Sequence, residues 1–168
     1  MAGLTIDYQS DQYTQVASYH AGGRGDVLIP HTDAGKLRCF HFRYKNETGG
    51  TIAADKTIAL GYLPQGKILP MSKVICTDLG TGTTLDLGFD EYKKNDETLV
   101  ASNPDFLVDG ADVATAAINS ELHTIGTAEV QNDGYTLEGF ALLVAQPRVS
   151  TWAADGELNV FIFMLTGQ

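Results

Sequence analysis

The chain has 168 residues, a formal net charge of −10 and a hydrophobic content of 43%, which is typical of a folded chain with one core. Its 11 Lys and Arg residues form no basic block, so the charge argues against nucleic acid as a partner. The N-terminus has no basic start and no apolar run, and no apolar stretch approaches membrane-span length, so neither a secretory signal nor a membrane partner is expected.

Residues 1–25 are polar and contain Tyr8, Tyr13 and Tyr19 without a helical or strand period. Two interpretations stand level. One is a poorly ordered terminus; the other is an extended arm that lies across a neighbouring subunit, with the tyrosines as anchors. We therefore divide the chain into an N-terminal arm, 1–25, and a β-sandwich domain, 26–168.

The first predicted strands follow a Gly-rich segment. One covers Val27 to Pro30, and the next, Leu37 to Lys45, alternates aromatic residues with Cys, His and Arg. The two cysteines, Cys39 and Cys76, both fall in predicted strands. Because two cysteines make no disulfide framework, we expect small buried hydrophobic side chains rather than a bridge.

Three further strands are predicted between Lys56 and Tyr92. A turn at Leu63–Gly66 ends the first, and the second runs from Leu69 to Cys76 before a break at Gly80–Gly82. The third has the strictest period of two, which predicts one buried and one solvated face. Its buried face would hold Leu85, Leu87 and Phe89, and its solvated face Thr84, Asp86, Gly88 and Asp90.

The segment after Tyr92 is charged and then irregular. Pro104 to Ala117 is predicted as a single helical turn followed by a loop, since Gly110 makes a long helix unfavourable. A strand is expected over Leu122 to Val130, followed by a hairpin turn at Asn132–Gly134.

Two strands complete the chain, Tyr135 to Gln146 and Glu157 to Leu165, and we expect them to pair with each other. Both are apolar on both faces, which is typical of a central strand of a sandwich or of a strand in a subunit interface. About eight to ten strands in all favour an antiparallel β-sandwich of jelly-roll type. No internal repeat is recognised.

Neither the histidines nor the carboxylates have the spacing of a known metal site. The four histidines lack a His-x-His pair; they are His20, His31, His41 and His123. The carboxylates are spaced unlike an EF-hand loop, so a solvated acidic rim is expected rather than a Ca²⁺ site. They are Asp86, Asp90, Glu91, Asp96, Glu97, Asp105, Asp109 and Asp112.

No catalytic motif is present. The chain contains neither G-x-S-x-G nor a phosphate-binding G-x-x-x-x-G-K-[ST]. We expect no enzyme activity, no cofactor and no metal.

Three segments, taken in order along the chain, form a pattern of strands and turns. They are IALGYLPQGKIL at 58–69, TTLDLGFDEY at 83–92 and NPDFLVDGADVATA at 103–116. This pattern resembles a family of tailed-phage virion proteins. Its members pair a strand ending in Leu-Pro-x-Gly with a T-x-D-[LV]-G strand, an acidic loop and a short Asp-Val-Ala/Ser segment. They finish on a hydrophobic strand after a Gly turn, here Asp155–Glu157 leading into Leu158–Leu165.

The resemblance implies a non-enzymatic capsid decoration protein of the phage head. Such a protein would be made in the host cytoplasm, oligomerise as a homotrimer and bind the major capsid protein on the exterior of the virion. The alternative is a carbohydrate- or receptor-binding β-sandwich module of a phage tail or another part of the virion. A small hydrolase or cupin-like enzyme is a third possibility that no motif supports.

Six aromatic residues are hypothetical protein-interaction residues: Tyr8, Tyr13, Tyr19, Trp152, Phe161 and Phe163. Trp152, the single tryptophan, lies between two predicted strands beside Arg148. It could serve as a sugar-stacking platform or an interface anchor, but a lid over the core is the favoured interpretation.

Overall fold

The computed structural model describes residues 6–9, 36–46, 50–114, 118–121 and 134–166. In these ranges the regular elements are β-strands, numbered β1 to β13 in chain order. Two of them, β7 (Tyr92–Lys93) and β8 (Leu99–Val100), form a separate antiparallel pair, and the others form two larger sheets. No helix within them is long and apolar enough to cross a membrane.

One layer is a five-stranded sheet. Its strands, in spatial order, are β1 (Ile6–Gln9), β3 (Thr57–Leu63), β12 (Ala141–Pro147), β6 (Thr84–Phe89) and β9 (Asn103–Asp112). β1 pairs with β3 in parallel, and the other neighbours are antiparallel. Residues 6–9 of the proposed arm thus form an edge strand of this sheet.

The second layer is a six-stranded sheet built around its longest pair. Its strands are β2 (Lys36–Lys45), β4 (Gly66–Ile68), β5 (Lys73–Cys76), β10 (Ile118–Glu121), β11 (Tyr135–Leu137) and β13 (Glu157–Thr166). β2 pairs with all 10 residues of β13. β4 and β5 lie end to end along the other side of β13, with β11 beyond β4 and β10 beyond β5.

The core lies between the two sheets, and β13 illustrates why. Every second residue of this strand is buried, and Leu158, Val160, Ile162 and Met164 are each 0% exposed. Each such side chain contributes about 1.5–3 kcal/mol when it is removed from water. The expected antiparallel β-sandwich is confirmed.

Two loops that share the pattern T-x-A-A-D connect the layers. T-I-A-A-D at 51–55 joins β2 to β3, and T-W-A-A-D at 151–155 joins β12 to β13. Ile52 and Trp152 form an antiparallel bridge, and the final aspartate of each loop has a φ of 62°. The shared pattern is only five residues long and is confined to these two loops.

The last two strands were expected to pair with each other, and this is wrong. β12 is central in the five-stranded sheet and β13 in the six-stranded sheet. The loop at 151–155 carries the chain from one layer to the other, so the two strands belong to different sheets. Their apolar character does reflect the predicted central positions.

The predicted helical turn over Pro104 to Ala117 is also wrong, because residues 103–112 form β9. Pairing with β6 is interrupted by two register shifts, and Gly110 adopts a positive φ of 66°. Proline and glycine here mark an edge strand with bulges rather than a helix end.

Two details of the stretch between Lys56 and Tyr92 also differ from expectation. The second predicted strand, Leu69 to Cys76, is regular only over its last four residues, β5, while β4 lies before it at Gly66–Ile68; Met71 lies outside both strands and is 47% exposed. The predicted solvated face of β6 is largely covered, since Asp86 is 7% exposed and Gly88 is buried. At Gly88 the backbone of β9 approaches so closely that a Cβ atom would overlap the Asn103 carbonyl oxygen.

The cysteines do not form a bridge. Cys76 is buried, as predicted, but Cys39 is exposed on the solvent side of β2, and neither residue is part of a disulfide. The predicted strands at 27–30 and 122–130, and Asn132 and Asp133 of the predicted hairpin turn, lie outside the described residues.

A candidate assembly surface

The solvent side of the β2–β13 pair carries a row of apolar side chains. The register places Leu37 opposite Leu165, Cys39 opposite Phe163 and His41 opposite Phe161. Since side chains two residues apart share a face of a strand, these six lie together on the outside of the sandwich. We call them the outer face: Leu37, Cys39, His41, Phe161, Phe163 and Leu165.

These side chains are partly or largely exposed to solvent. Leu37 is 55% exposed, Cys39 and His41 are exposed, and the three β13 residues are half-buried. A contiguous apolar row on the solvent side of a sheet is a feature that commonly marks an interaction surface.

The His41 ring lies flat on Phe161, with ring centroids 4.3 Å apart and an angle of 2° between the planes. The His41 Nε2–H donates to Asn159 Oδ1 at 2.9 Å. This contact holds the imidazole in place, so the two rings form a fixed stack in the outer face.

A charged network closes one end of this row. Arg43 donates from Nε and Nη2 to the two carboxylate oxygens of Glu157, at 3.0 and 2.9 Å. Asn159 Nδ2 donates to Glu157 Oε1 at 2.9 Å. Hydrogen bonds from Arg43, and then from Asn159, lower the pKa of Glu157 from 4.5 to about 2, so this carboxylate is ionised at neutral pH.

The two sheets carry opposite charge. The strands of the six-stranded sheet contain six Lys or Arg and two Glu residues, a net charge of +4. The strands of the five-stranded sheet contain five Asp and no Lys or Arg, a net charge of −5. The outer face is therefore an apolar row in the more basic of the two sheets. By strand alternation Arg43, Lys45, Lys67 and Lys73 lie on the same side of the sheet as this row, whereas Arg38 lies on the side of Phe40 and Phe42.

A cleft of about 350 Å³ lies at one end of the sandwich, where four aromatic rings meet. Phe89, Tyr92, Phe106 and Tyr135 line it, and the two tyrosine hydroxyls are 3.1 Å apart. The rings pack on one another, with centroids 4.5–6.3 Å apart. They form a floor rather than an open cage.

The acidic segment does not form the expected solvated rim throughout. Asp86 is buried at 7% exposure and accepts a hydrogen bond from the Gly110 amide at 2.7 Å. Burial raises the pKa of Asp86, while Gly110 and Arg148 oppose that rise. Arg148 lies 3.6 Å from Asp86 and also pairs with Asp109. In the described ranges no group of three or more His, Cys, Asp or Glu residues is placed to hold a metal ion.

The predicted interaction residues fall into three groups. Phe161 and Phe163 lie in the outer face. Trp152 is 1% exposed and packs in the core, which corrects its assignment as a platform or anchor and supports the lid interpretation. Tyr8 is described only as part of the backbone of β1, and Tyr13 and Tyr19 lie outside the described residues, as do His20, His31 and His123.

Sequence reasoning missed four members of the outer face: Leu37, Cys39, His41 and Leu165. The alternation of β2 placed His41 on the solvated side, but nothing in either strand indicated that His41 and Phe161 are neighbours. That proximity depends on the register between strands more than 100 residues apart.

The comparisons with known proteins show the fold. No family model and no curated protein sequence matches the chain. Among solved structures, a chain of the capsid of Ralstonia phage GP4 superimposes with a TM-score of 0.62 and 20% identity, covering 95% of this chain and 97% of that one. A chain of the cyanophage Pam1 capsid asymmetric unit superimposes with a TM-score of 0.54 and 18% identity, covering 87% and 96%. The chain thus shares a β-sandwich fold with chains found in two phage capsids.

Proposed function

We propose that this protein is a non-enzymatic structural component of a phage virion that decorates and stabilises the outside of the head. The observation that carries the proposal is the outer face, an apolar row on the solvent side of a basic sheet. The fold shared with chains of two phage capsids, over nearly the full length of each, supports the same conclusion.

The mechanism is mechanical. When the outer face lies across a joint between shell subunits, its aromatic and aliphatic side chains leave water. Each Å² of apolar surface removed from water contributes about 25 cal/mol, so the joint opens only if this contact is broken as well. The basic residues of the same sheet favour an acidic partner surface and oppose a wrong orientation.

The acidic five-stranded sheet would then face away from the shell. Asp105, Asp109 and Asp112 on its edge strand β9 suit a surface that remains in water and keeps neighbouring particles apart.

The test is co-sedimentation of the purified protein with phage shells that lack it. We expect saturable binding that is lost in a Phe161→Asp, Phe163→Asp variant. A matched control is Val149→Asp, because Val149 is 67% exposed but lies outside the outer face. Absence of binding by the wild-type protein to any shell contradicts the proposal.

A second candidate function is carbohydrate or receptor binding, and the aromatic cleft is the observation that favours it. Aromatic ring faces stack on sugar rings, and of the four rings Phe106 and Tyr135 are only half-buried, so these two are accessible to a ligand. Binding to a glycan array that is abolished by Phe106→Ala, with shell binding absent, would favour this function over decoration.

A further inference from the structure

Two strands at opposite sides of the sandwich carry opposite charge. β2 contains four of the 11 Lys and Arg residues of the chain and no Asp or Glu. β9 contains three Asp residues and no Lys or Arg.

The sheet order places these strands far apart. β9 is an edge of the five-stranded sheet, and β2 pairs only with β13 among the described strands. β11, on the opposite side of the six-stranded sheet from β2, lies next to β9, since the Tyr135 and Phe106 rings are 4.5 Å apart. β2 contacts β3 instead. The basic and acidic strands therefore mark opposite lateral sides of one subunit.

We propose that the β2 side of one copy binds the β9 side of the next copy, head to tail. When two different surfaces of identical chains bind each other, each copy is rotated relative to the next. The copies form a closed ring if these rotations add up to a full turn. This inference says which surfaces join the copies of the proposed decoration protein. It rests on the proposed function only for the place where the oligomer would act.

Charge is the argument for a second copy as the occupant. The net charge of −10 makes copies repel each other at long range. At physiological salt, however, charges more than about 8 Å apart are largely screened, so the facing sides decide the interaction. A basic strand against an acidic strand is attractive, whereas two β2 sides or two β9 sides repel.

The β9 side is crowded with carboxylates. Asp105 and Asp109 both lie close enough to Asp86 to disfavour its ionised form. Arg148 is the one basic side chain recorded as an ion-pair partner of Asp86 and Asp109 among the described residues. Cations from a neighbouring copy would offset the remaining negative charge.

The experiment measures the mass of the purified full chain by sedimentation velocity across a range of concentrations. We expect self-association that weakens by about tenfold or more when salt rises from about 0.05 to 0.5 M, because the Debye length falls from about 14 to about 4 Å. A chain that stays monomeric under all conditions overturns the proposal.

Three charge variants identify the surfaces. Arg38→Glu with Lys45→Glu should abolish association, and so should Asp105→Lys with Asp112→Lys. The combination of all four should restore it, since both sides are then reversed together, and that variant should not mix with the wild type. Lys67→Glu with Lys73→Glu is the matched control, because it changes the net charge equally in the same sheet away from β2.

Melting temperatures identify variants that fail to fold. If each pair of reversals leaves the mass unchanged, or if the combined variant is folded but stays monomeric, the proposal is contradicted. Shell binding, measured separately, distinguishes failure of this proposal from failure of the proposed function. A monomeric wild-type chain that binds shells overturns only the head-to-tail contact, and an oligomer that binds no shell overturns only the decoration function.

Discussion

Ile52 and Trp152, 100 residues apart in the chain, exchange both backbone hydrogen bonds. The Ile52 amide donates to the Trp152 carbonyl at 3.1 Å, and the Trp152 amide donates to the Ile52 carbonyl at 2.9 Å. Both side chains are 1% exposed. The two connections between the sheets are thus joined at equivalent positions of a repeated T-x-A-A-D segment.

The equivalence extends to the end of each segment. The Asp55 amide donates to Pro147 at the end of β12, and the Asp155 amide donates to Asn46 just after β2. Each loop is fixed to the strand that precedes the other loop. The two connections therefore hold the layers together reciprocally.

The left-handed backbone at Asp55 and Asp155 predicts matched substitution effects. Aspartate tolerates a φ of 62° better than alanine does, and glycine has no penalty there. We expect Asp55→Ala to lower the free energy of unfolding by about 1 kcal/mol more than Asp55→Gly does. The same difference should appear at Asp155 in urea unfolding. Equal stabilities of the Ala and Gly variants at either site would contradict this account.

Gly88 is predicted to be intolerant of any side chain. A Cβ atom there would overlap the Asn103 carbonyl oxygen and lie 2.7 Å from the Pro104 carbonyl carbon. β9 would have to move, and we expect Gly88→Ala to cost about 3 kcal/mol of stability. Gly50→Ala is the matched control, since nothing lies within 4 Å of its Cβ position. Similar melting temperatures for the two variants would show that β9 does not cross so closely.

The Arg43–Glu157 pair predicts how stability changes at acid pH. The pKa of Glu157 is lowered from 4.5 to about 2 in the folded chain, so its contribution is present above pH 4.5 and lost as pH falls toward 2. Because Arg43 is half-exposed, this contribution is at most about 1 kcal/mol. The wild type should be more stable than Glu157→Gln at pH 7, and the difference should vanish near pH 2. A difference that is independent of pH contradicts the assignment.

Arg148 is predicted to compensate the buried carboxylate of Asp86. Replacing Arg148 by Met removes the cation 3.6 Å from Asp86, and we expect a loss of about 2 kcal/mol at neutral pH. With Asp86→Asn already present, the same replacement should cost less than half as much, because no buried charge is left unpaired. A double-mutant cycle in urea unfolding measures the coupling, and additive losses would contradict it.

Part of this structure could be predicted from local pattern. The alternation in β2 and β6 identified their buried faces correctly, whereas β13 was expected to be apolar on both faces and its buried face was not singled out. Side-chain period is a property of each strand alone, so it needs no knowledge of the neighbours.

What depends on neighbours could not be predicted. β12 and β13 have equally apolar sequences, and nothing in either indicates that they belong to different sheets. The opposite charge of the two sheets depends on which strands belong to which sheet, so it could not be predicted either. β9 was misassigned because Pro104 and Gly110 are helix and turn signals locally, whereas pairing with β6 decides the structure.

Thiol labelling of Cys39 tests the central claim most directly, namely that the outer face is buried against a shell. Cys39 is exposed within that face, and buried Cys76 is an internal control. The account predicts that a maleimide labels Cys39 readily in the free protein and at least about tenfold more slowly in the shell-bound protein, since burial blocks access to the thiol. Equal labelling rates for free and fully shell-bound protein would contradict it.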